Sequence, residues 1–148
     1  MADLVFRHVD DVPWQEVKAQ MHGERRVGVH LRIVEWGERC AFIYTHYDPG
    51  VTLEVHGHNS DHVIYVLEGS VTISGVECRP GMMVLLEHGA TFGPIIAGPE
   101  GTDLVEFYTG DPRSWSADPA GYTALLAARG IEPLPDPVID GPTRRDGS

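Results

Sequence analysis

Three histidines within seven residues, His56, His58 and His62, are the side chains whose type and spacing could do chemistry in this sequence. Two histidines two apart on a strand point to the same face, because successive side chains alternate. His56 and His58 can therefore reach one metal ion together. His62 follows a short break of Asn59, Ser60 and Asp61, so it can open the next strand beside them and bring a third nitrogen. Neutral imidazole is a common ligand for zinc, iron, nickel and copper, and rings on rigid strands meet a nitrogen–zinc distance of about 2.0–2.1 Å better than rings on loops. An HxH pair alone is often only a surface or cross-strand pair. A third histidine at this spacing favours one divalent ion, zinc or iron, over that plain reading.

At these residues the sequence resembles the cupin superfamily. The first cupin motif runs glycine, five residues, HxH, three or four residues, glutamate, six residues, glycine; Gly50, His56, His58 and Gly69 fall at that spacing, with His62 at the glutamate position. A nitrogen ligand there replaces an oxygen ligand, which removes a negative charge and leaves a bound metal more electrophilic. The second motif resembles the stretch of Gly75, Arg79-Pro80-Gly81 and the apolar run Met82 to Leu86. Counting on, Phe92 stands where the last histidine ligand of the motif would be. A fourth protein ligand would then come from another strand: His46 is the first candidate and His88 the second, with ordinary exposure an equal alternative for both. Glu106 is a candidate carboxylate ligand or general base, or else a solvent-facing charge. The resemblance spans roughly residues 27–108. It implies a double-stranded β-helix barrel, commonly paired into homodimers.

The elements that must hold these rings read as strands. Short runs rich in Val, Ile, Tyr and Phe recur between Gly, Pro, Asp and Asn clusters, the rhythm of a sandwich or barrel. Strands are expected near Leu4 to Val9, Val27 to Glu35, Cys40 to Tyr47, Thr52 to His58, His62 to Leu67, Ser70 to Ser74, Met83 to Leu86, Thr91 to Ile96 and Asp103 to Thr109. Leu67-Glu68-Gly69-Ser70 reads as the turn of a hairpin, and Arg79-Pro80-Gly81 as a second turn. One helix is expected, capped by Asp118, entered by Pro119 and stopped at Gly130. The fold class is thus all-β with one short C-terminal helix: a single domain over 1–132, its core at about 27–108 and its helix at about 119–129, then a Pro/Gly-rich tail, draped or disordered, over 133–148.

The bulk numbers narrow the partners. A formal charge of −11 over 148 residues repels phosphate backbones and anionic headgroups, which argues against nucleic acid and membrane surfaces. No apolar run approaches the ~20 residues of a membrane span and no secretory pattern opens the chain, so a cytoplasmic location and reduced Cys40 and Cys78 are the default expectations. His8, His22 and His30 lack partners at ligand spacing and read as surface or turn residues. Trp14, Trp36 and Trp115 read as packing anchors or dimer contacts.

The function these readings favour is a metal-dependent enzyme on a small hydrophobic substrate bearing carbonyl or enol oxygens, similar to the cupin-type aromatic polyketide cyclases. In it His56, His58 and His62 hold the metal, bound water or Glu106 moves protons, and Tyr44, Phe92 and Tyr108, with Phe42, shape the cavity. A non-haem Fe(II) dioxygenase of a diketone or aromatic compound uses the same three-histidine geometry, and metal identity separates the two. A non-catalytic metal or ligand sensor is the third reading.

Overall fold

Buried and outward residues alternate along Ala41–Tyr47 without a break, the period-two pattern of a strand with one face on a core. The computed structural model describes residues 2–140. In chain order the elements are β1 (Gln15–His22), β2 (Arg25–Trp36), β3 (Ala41–Tyr47), β4 (Thr52–Leu53), β5 (His56–His58), β6 (His62–Ile73), β7 (Val76–Cys78), β8 (Met83–Leu86), β9 (Thr91–Phe92), β10 (Ile95–Tyr108), β11 (Ser114–Ser116), α1 (Pro119–Ala128) and β12 (Ile131–Pro133). The larger sheet runs β12-β1-β2-β3-β10-β6-β7, with β4 also on β10 and β8 also on β6; the smaller is β11-β5-β9. The ladders are antiparallel. Side chains from both sheets meet in one apolar core that includes Val51, Ile64, Val66, Phe92, Ile95 and Leu104. The all-β class and the single short helix stand as expected.

Local expectations fared unevenly. Asp118 caps α1 by accepting the Gly121 N–H at 3.0 Å, and the Arg79–Met82 turn closes with a 3.0 Å backbone bond. The supposed hairpin does not exist: His62–Ile73 is one continuous strand. Gly69 does take a positive φ of 72°, but the cause is a neighbour rather than a reversal. The Gly101 carbonyl occupies the place a Cβ on Gly69 would need, and the β6–β10 register slips by one residue just before it, where Asp103 faces Glu68 and Leu104 faces Val66.

Leu4 to Val9 forms no strand. Leu4 and Phe6 are more than four-fifths exposed, because strand-forming side chains without a neighbouring ladder have nothing to pack on; only a 3-10 turn, Val9–Asp11, follows. The strand that precedes β2 is instead the polar β1, whose buried Gln20 bonds the Thr52 backbone N–H and C=O at 2.9 and 3.0 Å. Thr52 to His58 is split between two sheets: β4 lies on β10 and β5 lies between β9 and β11. The tail begins as a strand, since β12 pairs with β1, and it then follows that edge through Lys18–Asp136 at 2.9 Å and Gln15–Asp140. Residues 141–148 lie outside the described residues. Both cysteines are free thiols, Cys78 buried and Cys40 only partly so.

Gly69 and Gly75 both have positive φ, yet open space surrounds the missing Cβ of Gly75. Gly75→Ala is therefore expected to cost only the left-handed backbone penalty, about 1–2 kcal/mol. Gly69→Ala adds a collision with fixed backbone and should cost about 3 kcal/mol or more. Urea unfolding of the two variants would show equal losses if the close approach of β10 were unimportant.

Candidate metal centre

His56 and His58 reach the interior because β5 is pinned on both sides. His56 pairs with Phe92 of β9 and Ser116 of β11, and His58 with Ser114. Between them, Gly57 has no room for a side chain: a Cβ would lie 2.5 Å from the Ala90 carbonyl oxygen and 2.6 Å from the Trp115 ring. The Trp115 indole, whose Nε1–H donates to Asn59 Oδ1 at 3.2 Å, closes that flank. His62 opens β6 opposite Leu86 and Tyr108. It is completely buried and stacks on Tyr108 with centroids 4.0 Å apart. The three imidazoles converge, His56 to His58 at 5.2 Å and His58 to His62 at 4.8 Å between centroids.

Each ring is anchored through one nitrogen. His56 Nδ1–H donates to the Glu54 carbonyl at 2.9 Å, and His58 Nδ1–H to the carbonyls of Pro112 and Arg113 at 2.9 and 3.2 Å. Carbonyls only accept, so these bonds fix the tautomer and leave both Nε2 atoms as lone-pair donors. His62 is anchored the other way round: Nε2–H faces Glu106 Oε1 at 3.2 Å, which leaves Nδ1 as its lone pair. Glu106 Oε2 accepts the Thr45 hydroxyl at 2.8 Å.

Two of the remaining lone pairs, His58 Nε2 and His62 Nδ1, are buried with no hydrogen-bond partner. An unsatisfied buried polar atom costs about 1–3 kcal/mol, and a shared cation would remove that cost. Metal-bound histidines elsewhere are held in this manner, with the non-ligating N–H on a carbonyl or carboxylate. The donor set therefore fits a divalent ion. As they stand, no three His, Cys, Asp or Glu side chains among the described residues are posed to hold one outright.

The electrostatics keep His56 and His58 neutral. Burial, with the neighbouring His62 and His56, lowers the His58 pKa to about 4, and burial likewise lowers that of His56. Burial pushes the Glu106 carboxyl up, but the His62 bond and charge and the Thr45 hydroxyl outweigh it, so the group sits below its ordinary value. A neutral ring is the form that binds metal.

Of the other expected site residues, Phe92 and Tyr108 lie at the centre. Phe92 is 4.6 Å from His56 and 5.6 Å from His62 between centroids, and Tyr108 is 4.9 Å from His58. Glu106 faces inward, which removes the solvent-facing alternative, but both its oxygens are engaged. His46 and Tyr44 are not at this site. Thr45 between them points inward and is fully buried, so alternation turns both neighbours outward. There His46 meets Asp103 at 2.6 Å and Asp48 at 3.2 Å, and Tyr44 packs against Trp14. Phe42 is outward for the same reason. His88 is exposed on the turn after β8. His30, which read as a surface or turn residue, lies on β2 and shares Asp48 with His46. The sequence reading missed Thr45, which the period-two pattern of β3 could have exposed, and the Pro112 carbonyl, for which no local signal exists.

No family model matches the sequence, and no curated protein matches it significantly. Solved structures do match. A candidate acetylacetone dioxygenase from Methylibium petroleiphilum superposes with a TM-score of 0.65 at 11% identity, over 92% of this chain and 89% of its own. An RmlC-like cupin from Shewanella frigidimarina gives 0.60 at 16% identity over 75% and 95%. The polyketide cyclase RemF from Streptomyces resistomycificus gives 0.57 at 25% identity over 84% and 94%. The chain thus has the cupin fold. Its single barrel is similar in structure to that of the polyketide cyclase RemF. No helix among the described residues is long and apolar enough to cross a membrane.

Because the His58 pKa is lower folded than unfolded, the unfolded chain takes up its proton first as pH falls. The stability of metal-free protein linked to this ring is complete above pH ~6.5 and is lost between there and about pH 4. His58→Gln is expected to flatten the fall of Tm over that window. Equal slopes for wild type and variant would show that the ring is not held neutral by burial.

Proposed function

We propose that this chain is a metal-dependent enzyme acting on a hydrophobic carbonyl or enol substrate, with aldol-type closure of an aromatic polyketide as the specific reaction. The observation that carries the proposal is the set of three inward imidazoles, each anchored by one nitrogen, with two buried lone pairs left unsatisfied. His56 and His58 would hold one divalent ion, zinc or iron, through Nε2, and His62 would hold it through Nδ1. When bound, the ion supplies Lewis acidity that polarises a carbonyl and lowers the pKa of the adjacent C–H.

The chain's own residues do the rest. Phe92 and Tyr108 wall the site with ring faces, which orient a flat apolar substrate and exclude water. Glu106 keeps the His62 ring in place, and with both oxygens engaged it serves as a positioning residue. The resemblance to RemF in fold and overall size supports the cyclase reading over other carbonyl chemistry.

Protein purified without added metal is expected to contain about one zinc or iron per chain, and His58→Ala less than about a tenth of that. Equal trace metal in both would remove the basis of the proposal. Incubated anaerobically, the loaded protein is expected to cyclise an aromatic poly-β-ketone. Turnover only with oxygen uptake and bound iron would replace the cyclase by a diketone dioxygenase, and tight metal binding with neither activity would favour a sensor.

Glu106→Gln preserves the size of the side chain and an acceptor for Thr45 but removes the charge behind His62. Metal affinity by calorimetry is expected to fall about 10–100-fold with an unchanged circular dichroism spectrum. Unaltered affinity would separate Glu106 from the metal centre.

A further inference from the structure

The two carbonyls that hold His58, those of Pro112 and Arg113, lie 54 and 55 residues further along the chain. They belong to residues 109–113, which join β10 to β11 outside any strand. Such a connection keeps a carbonyl in one place only if other bonds restrain its torsions. Here those bonds come from the three residues between His58 and His62. At one end Asn59 Oδ1 accepts the Trp115 indole N–H at 3.2 Å. At the other, Thr109 N–H donates to the Asp61 carbonyl at 3.1 Å and Asp61 N–H to Thr109 Oγ1 at 3.2 Å. Ser60 holds the middle: its hydroxyl donates to the Asp111 carbonyl at 3.1 Å.

We propose that Ser60 and Asp111 are positioning residues for His58: the Ser60 hydroxyl and the Asp111 carboxylate together aim the Pro112 carbonyl, and so decide which nitrogen of the ring carries the proton. The link follows from the torsions between them. The Asp111 carbonyl lies in the peptide plane that leads into Pro112, and proline locks its own φ. Once Ser60 fixes that plane, one soft torsion, ψ of Pro112, remains before the Pro112 carbonyl. The Asp111 carboxylate restrains it from the far side. Its Oδ1 accepts the Arg113 N–H at 3.0 Å across the proline, and the Arg113 guanidinium holds the same carboxylate. The Arg113 N–H and the Pro112 carbonyl share one peptide plane, so holding the first aims the second.

Burial singles out Ser60 among the three. It is 4% exposed, whereas Asn59 and Asp61 are exposed, and a hydrogen bond away from water is the stronger one. Gly110 lets the chain pass this close: a Cβ there would lie 3.2 Å from the Ser60 Cβ. A neutral imidazole carries its proton on the nitrogen that finds an acceptor. With the two carbonyls in place that nitrogen is Nδ1, and the buried, partnerless Nε2 is left as a lone pair. With the Pro112 carbonyl displaced, the proton can move to Nε2 and the lone pair is lost. The consequence for metal binding rests on the metal centre proposed above; the tautomer itself does not.

Long-range proton–nitrogen NMR of the metal-free protein at about pH 8, above the range in which His58 gains a second proton, reads the tautomer of each ring. Wild type is expected to show Nδ1–H on His56 and His58. Ser60→Ala and Asp111→Ala should each shift the His58 tautomer ratio toward Nε2–H about fivefold or more, the factor carried by one lost hydrogen bond. His56, held by the Glu54 carbonyl, should not change. Ser60→Thr and Asp111→Asn, which keep the hydroxyl and the acceptor, should retain the wild-type pattern. Zinc affinity by chelator competition should fall about 10-fold in the two alanine variants only. If Ser60→Ala does not fold, Asp111→Ala carries the test. A His58 that stays Nδ1–H in the alanine variants, or an equal shift of His56, overturns the inference whether or not zinc binds. A shift confined to His58 in protein that takes up no zinc upholds it and removes the metal centre instead.

Discussion

The centre of this molecule depends on one buried contact, the Glu106 carboxylate against the His62 Nε2–H. A carboxylate in an apolar interior is strongly disfavoured unless its oxygens are satisfied. Here one oxygen faces an imidazole N–H and the other accepts the Thr45 hydroxyl, and this keeps the group ionised despite burial. The same contact fixes the His62 tautomer and so decides which of its nitrogens faces the other two rings. Without the carboxylate, His62 could present either nitrogen, and the stacking on Tyr108 would hold its plane but not its protonation.

Strand β10 shows how one run of sequence serves two surfaces. Leu104, Glu106 and Tyr108 face inward, and Asp103, Val105 and Phe107 face outward. The inward set supplies the core, the anchor of His62 and a wall of the site. The outward set leaves Phe107 exposed and places Asp103 against His46. A one-residue slip of this strand would exchange the two sets, putting Phe107 against His62 and Glu106 into solvent. The buried Thr45–Glu106 bond ties the register of β10 to β3 against that slip.

The sequence was most legible where chemistry and period coincide. His56 and His58 shared a face because the side-chain period is two, and His62 joined them because a break of three residues suffices to start the next strand, in the facing sheet. The class, the helix and its Asp118 cap were legible on the same local grounds. What failed needed knowledge of neighbours. Gly69 carries a turn-like residue type for the sake of Gly101 on an adjacent strand, and Leu4 and Phe6 have strand-forming types with no ladder to join. For His46 ligation and ordinary exposure stood as equal alternatives, and its alternation with the buried Thr45 sends it outward. The Pro112 carbonyl, 54 residues from the imidazole it anchors, leaves no trace in local pattern.

The replacement of a ligand glutamate by His62 reads, in sequence, as the loss of a negative charge from the centre. The fold alters that conclusion. Glu106 stands 3.2 Å behind His62, so the charge is moved outward by one imidazole rather than removed. A carboxylate bonded to the far nitrogen of a ring raises the basicity of the near one. With Phe92 rather than a histidine beside His56, the fourth direction is an aromatic face, which offers shape to a substrate and no competing lone pair. If these rings hold an ion as proposed, it would meet three imidazole nitrogens and one apolar side, with the Glu106 carboxylate one ring away from contact.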